Sequence, residues 1–272
     1  MTATAPELFA LAEACLSATR IDEKLERSAQ AAAAFAAGAV ALNRASPPPR
    51  AIAQPGRPPR PRLVEPRALP RRGLGSVEGR AALVHAVAHI EFNAIDLAWD
   101  AVYRFRDMPT EYYRDWAAVA ADETRHFRLL AARLAELGHA YGDFDAHNGL
   151  WEMAVKTSAS CLARMALVPR VLEARGLDVT PPMIARLRNV GDPRSAEILE
   201  VILCEEVAHV AAGSRWFAWC CARESVDPDA TFTRLIGEHA GGALKPPFNE
   251  AARRAAGFSS AELARLMEKS AA

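Results

Sequence analysis

Apolar residues recur at intervals of three and four along most of this chain, and no segment sustains an alternation of period two. The pattern predicts helices and no strands. Leu8, Leu11 and Leu16 form one apolar face and Asp22 starts a second helix, so residues 1–45 should be a helical hairpin or a broken helix. Ser76 with Glu78 is an N-cap for a helix A over roughly 77–106, through Val84, Val87, Ile90, Ile95, Leu97 and Trp99. Pro109 and Thr110 open helix B, which runs through Trp116, Val119, Leu130 and Leu134 until Gly138 stops it. The tight connection between A and B implies antiparallel neighbours. After a polar loop over 139–149, helix C is predicted over about 150–174, ending at Gly176. Thr180 followed by Pro181 and Pro182 predicts a separate short helix ending near Gly191. Asp192-Pro193 then opens helix D, which continues to about Arg223.

Two segments break the helical pattern. Between residues 46 and 72 stand nine prolines and seven arginines among few large apolar residues, a composition that excludes helix and central sheet. It reads either as a solvated linker or as a strap with Leu63, Val64 and Leu69 as anchors. The tail over 226–272, with Gly241-Gly242 and Pro246-Pro247, is expected to be mostly irregular with one short helix after Ser259-Ser260. The expected organisation is therefore an N-terminal helical segment (1–45), a Pro-rich strap (46–75), a four-helix bundle (76–225) and a packed tail (226–272).

Composition narrows the function classes. At 51% hydrophobic, the 272-residue chain can bury a sizeable core. Lys plus Arg equals Asp plus Glu at 33 each, so no net field recommends nucleic acid or an anionic membrane. The five cysteines (Cys15, Cys161, Cys204, Cys220 and Cys221) are odd in number and lack Cys-x-x-Cys spacing, which argues against a disulfide framework or a zinc ribbon and points to a reducing cytoplasm. Glu7 and Glu13 interrupt the N-terminus, which has no basic n-region and does not read as a signal peptide. No apolar run is expected to reach bilayer length, the alanine-rich stretch over 31–41 included, so no membrane partner is expected.

The chemistry lies in a pattern that occurs twice. Glu91 is followed 32 residues later by Glu123 and then His126, and Glu173 is followed 33 residues later by Glu206 and then His209. Residues at i and i+3 share a helix face, so each Glu-x-x-His aims two donors in one direction. Four carboxylates and two imidazoles from four helices are the ligand set of a carboxylate-bridged two-metal site. Four ionised carboxylates in a core are costly alone, whereas two divalent cations neutralise them. Oxygen-rich ligation without sulfur favours iron, with manganese the alternative, over structural zinc. Asp122 and Glu205, each preceding a ligand Glu, are placed to orient the imidazole of the opposite helix. The repeat extends to an Asp five residues after each lone Glu, Asp96 and Asp178, which read as structural. His85 and His89 read as a helix-packing pair, Trp216, Phe217 and Trp219 as core, and Cys220-Cys221 as inert packing.

Asp122-Glu123-x-Arg125-His126 resembles the Asp-Glu-x-Arg-His motif of the di-iron carboxylate proteins, which include ferritin-like oxidases and bacterial multicomponent monooxygenases. The second copy departs from it, with Glu205 for Asp and Ala208 for Arg. More narrowly, the segments 89–97, 173–178, 205–210 and 245–249 resemble an uncharacterised bacterial ferritin-like family, itself distantly similar to the di-iron hydroxylase that modifies a hypermodified adenosine in transfer RNA. The narrower family brings no activity of its own; the ligand set and the wider di-iron resemblance together imply an all-α, ferritin-like four-helix bundle holding two iron ions that activates dioxygen to oxidise or hydroxylate an unknown substrate, a small molecule being the expected partner. The alternatives are an iron-binding ferroxidase and a scaffold with a structural metal. For nucleic acid as partner, the arginines of the strap are the one pointer.

Overall fold

A computed structural model describes residues 6–239 and 245–271. Among these the secondary structure is helical, apart from two isolated bridges, so the chain is all-α. It divides into two compact units at Val155/Lys156, with one copy of the repeated pattern in each.

The first unit is built on α1 (Leu8–Ser17), α2 (Ile21–Ala36), α3 (Val77–Arg104) and α4 (Thr110–Glu136), with α5 (Gly149–Lys156) at its end. Both long helices start and stop where the sequence predicts. Ser76 Oγ accepts from Gly79 N at 3.1 Å, and Gly138 takes φ +78° just past the end of α4. By length and hydropathy α3 is able to cross a bilayer, contrary to the expectation that no segment reaches that length; 72% of that stretch is buried within the fold. It packs along α4 and α1, and α2 packs along α4 and reaches α3 through two side chains. Lys24 of α2, fully buried, donates to the carboxylate of Asp96 on α3 and to Cys15 O at 3.0 Å. One turn on, Ser28 Oγ accepts from Trp99 Nε1 of α3 at 2.8 Å and lies 2.9 Å from Thr124 Oγ1 of α4.

The Pro-rich segment is a strap. Gly56 N donates to Leu16 O at 2.6 Å, and Leu63 and Ala146 pair across a parallel bridge (Val64 N to Ala146 O, 2.8 Å; Ala146 N to Arg62 O, 3.0 Å). Trp151 Nε1 donates to Ala53 O at 2.9 Å. Its buried anchors are Pro55 and Pro61, while Leu63, Val64 and Leu69 are only half-buried. A chain rich in proline has few amides to satisfy, so a handful of hydrogen bonds holds it. Gly56 is needed here, because a Cβ would lie 2.4 Å from Ser17 O.

In the second unit the structure corrects the predicted helix C. α5 stops at Lys156, and Ser160 starts a new helix by accepting from Ala163 N at 3.1 Å. The intervening Thr-Ser-Ala-Ser run offers short side chains that compete for the backbone. α6 (Cys161–Leu167) then passes through a π-helical turn (Val168–Glu173) into α7 (Ala174–Asn189). Pro169 lacks the amide that a regular helix needs, and the wider turn absorbs that loss. Nor do Pro181 and Pro182 open a separate helix; both lie inside α7. The Leu177 carbonyl, which Pro181 leaves without its helical donor, accepts from Asn249 Nδ2 at 3.2 Å. α8 (Pro193–Glu224) matches helix D, capped by Asp192 Oδ1 on Ser195 N at 3.0 Å.

The tail is also more helical than expected, forming α9 (Pro228–His239), α10 (Glu250–Ala255) and α11 (Ser260–Ala271). Gly241-Gly242 lies outside the described residues. Composition concealed these helices because they are held by distant partners. Arg253 of α10 grips Asp178 of α7 with Nε to Oδ1 at 2.9 Å and Nη2 to Oδ2 at 2.7 Å. Arg170, on the π turn, donates to Glu262 of α11 at 2.7 Å and stacks its guanidinium against Phe217, Phe232 and Phe258.

Candidate metal centre

Three of the predicted ligands meet in the first unit. Glu91 projects from α3, and Glu123 and His126 project from one face of α4. His126 Nδ1 lies 3.1 Å from Glu91 Oε2 and 3.4 Å from Glu123 Oε2, and all three side chains are buried. One ligand atom from each lies within 4.8 Å of the others, a spacing that admits a single cation. The electrostatics are those of a site short of positive charge. Burial, then the charge of Glu123, raises the Glu91 carboxyl well above its usual range. Burial works against the His126 imidazolium, but hydrogen bonds to Glu123 and Glu91 outweigh it and carry the group up to about 10. Two carboxylates sharing one imidazole at this depth bind a proton tenaciously, and a divalent cation satisfies the same donors without it. The donor set therefore fits a metal.

In the second unit Glu206 and His209 stand together on α8, with His209 Nδ1 3.1 Å from Glu206 Oε2. His209 is buried and Glu206 nearly so. Glu173 closes the π turn and is buried, but it does not join Glu206 and His209 in a three-ligand group of the same tightness. Asp122 is half-exposed and accepts from Arg125 Nη2 at 3.2 Å, and Glu205 is half-buried on α8.

The residues set aside as structural behave so. His85 accepts from Gly142 N at Nε2 (2.9 Å); His89 meets the Tyr141 hydroxyl at Nδ1 (2.9 Å) and His147 O at Nε2 (3.0 Å). Burial, the leading cause for both, lowers these imidazoles to about 4, so both are neutral packing groups. Trp216 and Phe217 are core, whereas Trp219, expected with them, is only half-buried near the end of α8, where Arg223 covers its ring. Cys220 is buried with its thiol pushed up by a hydrogen bond to Cys161, and burial takes Cys221 up to about 11, which leaves both inert near neutral pH. Sequence reasoning missed Lys24 and Arg253, the cations that meet Asp96 and Asp178. The signal was half visible, since an Asp repeated five residues after each lone Glu on an otherwise apolar helix needs a partner.

A family model described as "Protein of unknown function (DUF455)" matches residues 17–264. The chain belongs to the DUF455 family. The span that matches DUF455 takes in both copies of the pattern, the strap, Lys24 and Arg253. An uncharacterized protein of Haemophilus influenzae is 43% identical to this DUF455 chain over 213 residues, which cover 76% of the chain and 74% of the relative. No solved structure matches.

Proposed function

We propose that this chain is a ferritin-like di-metal carboxylate oxidoreductase of the cytoplasm, with two iron ions as its resident metals and a small organic molecule as its substrate. The observation that carries the reading is the buried convergence of Glu91, Glu123 and His126, whose pattern of residue types and spacing recurs in Glu173, Glu206 and His209. Each repeat would supply one lone carboxylate and one chelating Glu-x-x-His pair. Once bound, a pair of irons supplies the redox chemistry by which dioxygen oxidises or hydroxylates an organic substrate.

The chain's own residues do the rest. Glu91 and Glu123 provide anionic oxygens that hold cationic charge at one point, and His126 offers a neutral nitrogen once its proton has been displaced. Phe92 and Phe127, each following a ligand, have ring centroids 5.2 Å apart and pack against Tyr141, an apolar cluster that fixes the helix turns from which Glu91 and His126 project. Asp122 and Glu205 are proposed to orient the ligand imidazoles. The extra residue of the π turn sets the direction in which Glu173 leaves its helix.

The test is metal content followed by reactivity. Protein loaded anaerobically with ferrous iron should retain about two ions per chain, and Glu123→Ala or His209→Ala should lose most of that metal. The loaded protein should then consume dioxygen. A chain that folds with no bound metal and gains no stability from it would refute the site; bound iron inert towards dioxygen would refute the oxidoreductase reading alone.

A further inference from the structure

We propose that a cleft walled by the Pro-rich strap binds a small organic anion, a carboxylate or a phosphate monoester carried on an apolar body. The inference does not rest on the metal reading. The cleft lies within the first unit, has a volume of about 760 Å³ and runs along the strap from Gln54 to Leu63, with Gly142, Asp143 and Asp145 opposite. That volume is in the range of small-molecule sites. Pro55, Pro58, Pro59, Pro61 and Leu63 supply apolar surface, and Gly142, at φ +109°, lets the opposite wall approach, since a Cβ there would come within 3.0 Å of Arg60 Cβ.

The charges in the cleft do not cancel. Asp145 is already held by the fork of Arg62, with Nε to Oδ1 at 3.2 Å and Nη2 to Oδ2 at 2.5 Å. Asp143 accepts from Ala140 N at 2.8 Å and faces His139 Nδ1 at 3.6 Å. Two guanidiniums remain. Arg60 is exposed and makes no hydrogen bond or ion pair among the described residues. Arg57 donates Nη2 to Asn93 Oδ1 at 2.7 Å, but its Nη1 is buried and has no acceptor. A buried guanidinium donor without an acceptor is a costly arrangement, and a rotation of Arg57 towards the cleft that it lines brings this donor to an anionic oxygen bound there.

Two features select a small occupant. The strap is fixed before any ligand arrives, by its prolines and by the backbone bridge of Leu63 with Ala146, so little ordering cost accompanies binding. Asp143 and Asp145 stand on the wall opposite the strap, where they disfavour an extended polyanion while leaving room for one anionic group beside Arg57 and Arg60.

Titration calorimetry on the full chain tests the site with benzoate and phenyl phosphate as the two anionic arms and benzyl alcohol as the uncharged control. Saturable one-to-one binding of at least one anion is expected, with the better arm showing which headgroup is preferred and the alcohol about tenfold weaker or worse. Arg60→Gln, a surface change that spares the fold, should weaken the preferred anion by about tenfold, while Arg67→Gln, on the strap but outside the cleft, should leave it unchanged. The proposal is overturned if neither anion saturates, if the alcohol binds as well, if Arg67→Gln matters as much as Arg60→Gln, or if only single-stranded RNA binds.

Discussion

Replacing Lys24 with Met puts a number on the brace between α2 and α3. The ammonium group is fully buried against an Asp96 carboxylate that is 1% exposed, and the same ammonium donates to Cys15 O at 3.0 Å. Met is close in length, so the packing volume survives and the change is electrical. It leaves a carboxylate in the core with its cation removed, a defect that costs about 3–5 kcal/mol, with roughly 1 kcal/mol more from the stranded carbonyl. Burial already raises the Asp96 carboxyl against the pull of Lys24, so without Lys24 its pKa in the fold should rise further above the unfolded value. The folded variant then binds the extra proton, and its deficit relative to the parent should shrink as pH falls towards the unfolded carboxyl value near 4. Urea unfolding followed by tryptophan fluorescence, from pH 7 to pH 5, measures both effects. Lys24→Met combined with Asp96→Leu should recover much of the loss, because two apolar residues replace a buried pair with neither charge left alone. A single-variant loss below about 1 kcal/mol, or a double variant no better than Lys24→Met, would refute the brace.

Three further outcomes follow from the packing. His85 is lowered to about 4 in the fold, by burial against the weaker pull of Asp143, from an ordinary value of 6.5. Its contribution of about 3 kcal/mol should be intact above pH 6.5 and lost as pH falls through about 4, and His85→Gln should flatten stability over that window. A Cβ at Gly213 of α8 would lie 2.4 Å from Pro169 on the π turn, so Gly213→Ala should cost about 1–3 kcal/mol; a neutral result in urea unfolding would mean that the two helices do not need this approach. Asn249→Ala removes both the donor to Leu177 O and the cap on Ala252 N, which should cost about 1–3 kcal/mol and increase amide exchange in α10 before the rest of the unit.

What could be read from the sequence was local. Ser76, Gly138 and Asp192 act on their own helices within three residues, and the ends they mark were predicted to within about two positions. The Glu-x-x-His pairs were legible for the same reason, since i and i+3 share a face in any helix. The π turn was not, because Pro169 and Pro182 carry the same local signal, and only their surroundings decide that one widens a helix and the other sits within it. Helix α10 was missed because Arg253 and Asn249 have their partners on α7, some seventy residues away. The strap stayed undecided between linker and wall, since its attachment is through backbone amides and prolines that look alike in either state.

The two buried cation–Asp pairs also constrain the order of events during synthesis. Lys24 and Asp96 are 72 residues apart and Asp178 and Arg253 are 75 apart, so each pair ties an outlying segment to the middle of its own unit. Neither pair reaches across Val155/Lys156. As the chain leaves the ribosome, the first lock can close once Asp96 has emerged, without waiting for the second half. The second must wait for Arg253, 75 residues further on, and until then Asp178 has only the more exposed Arg175, at 3.5 Å, to meet it. A nascent chain stalled before residue 253 should therefore show a protease-resistant first unit and a second unit still open to cleavage.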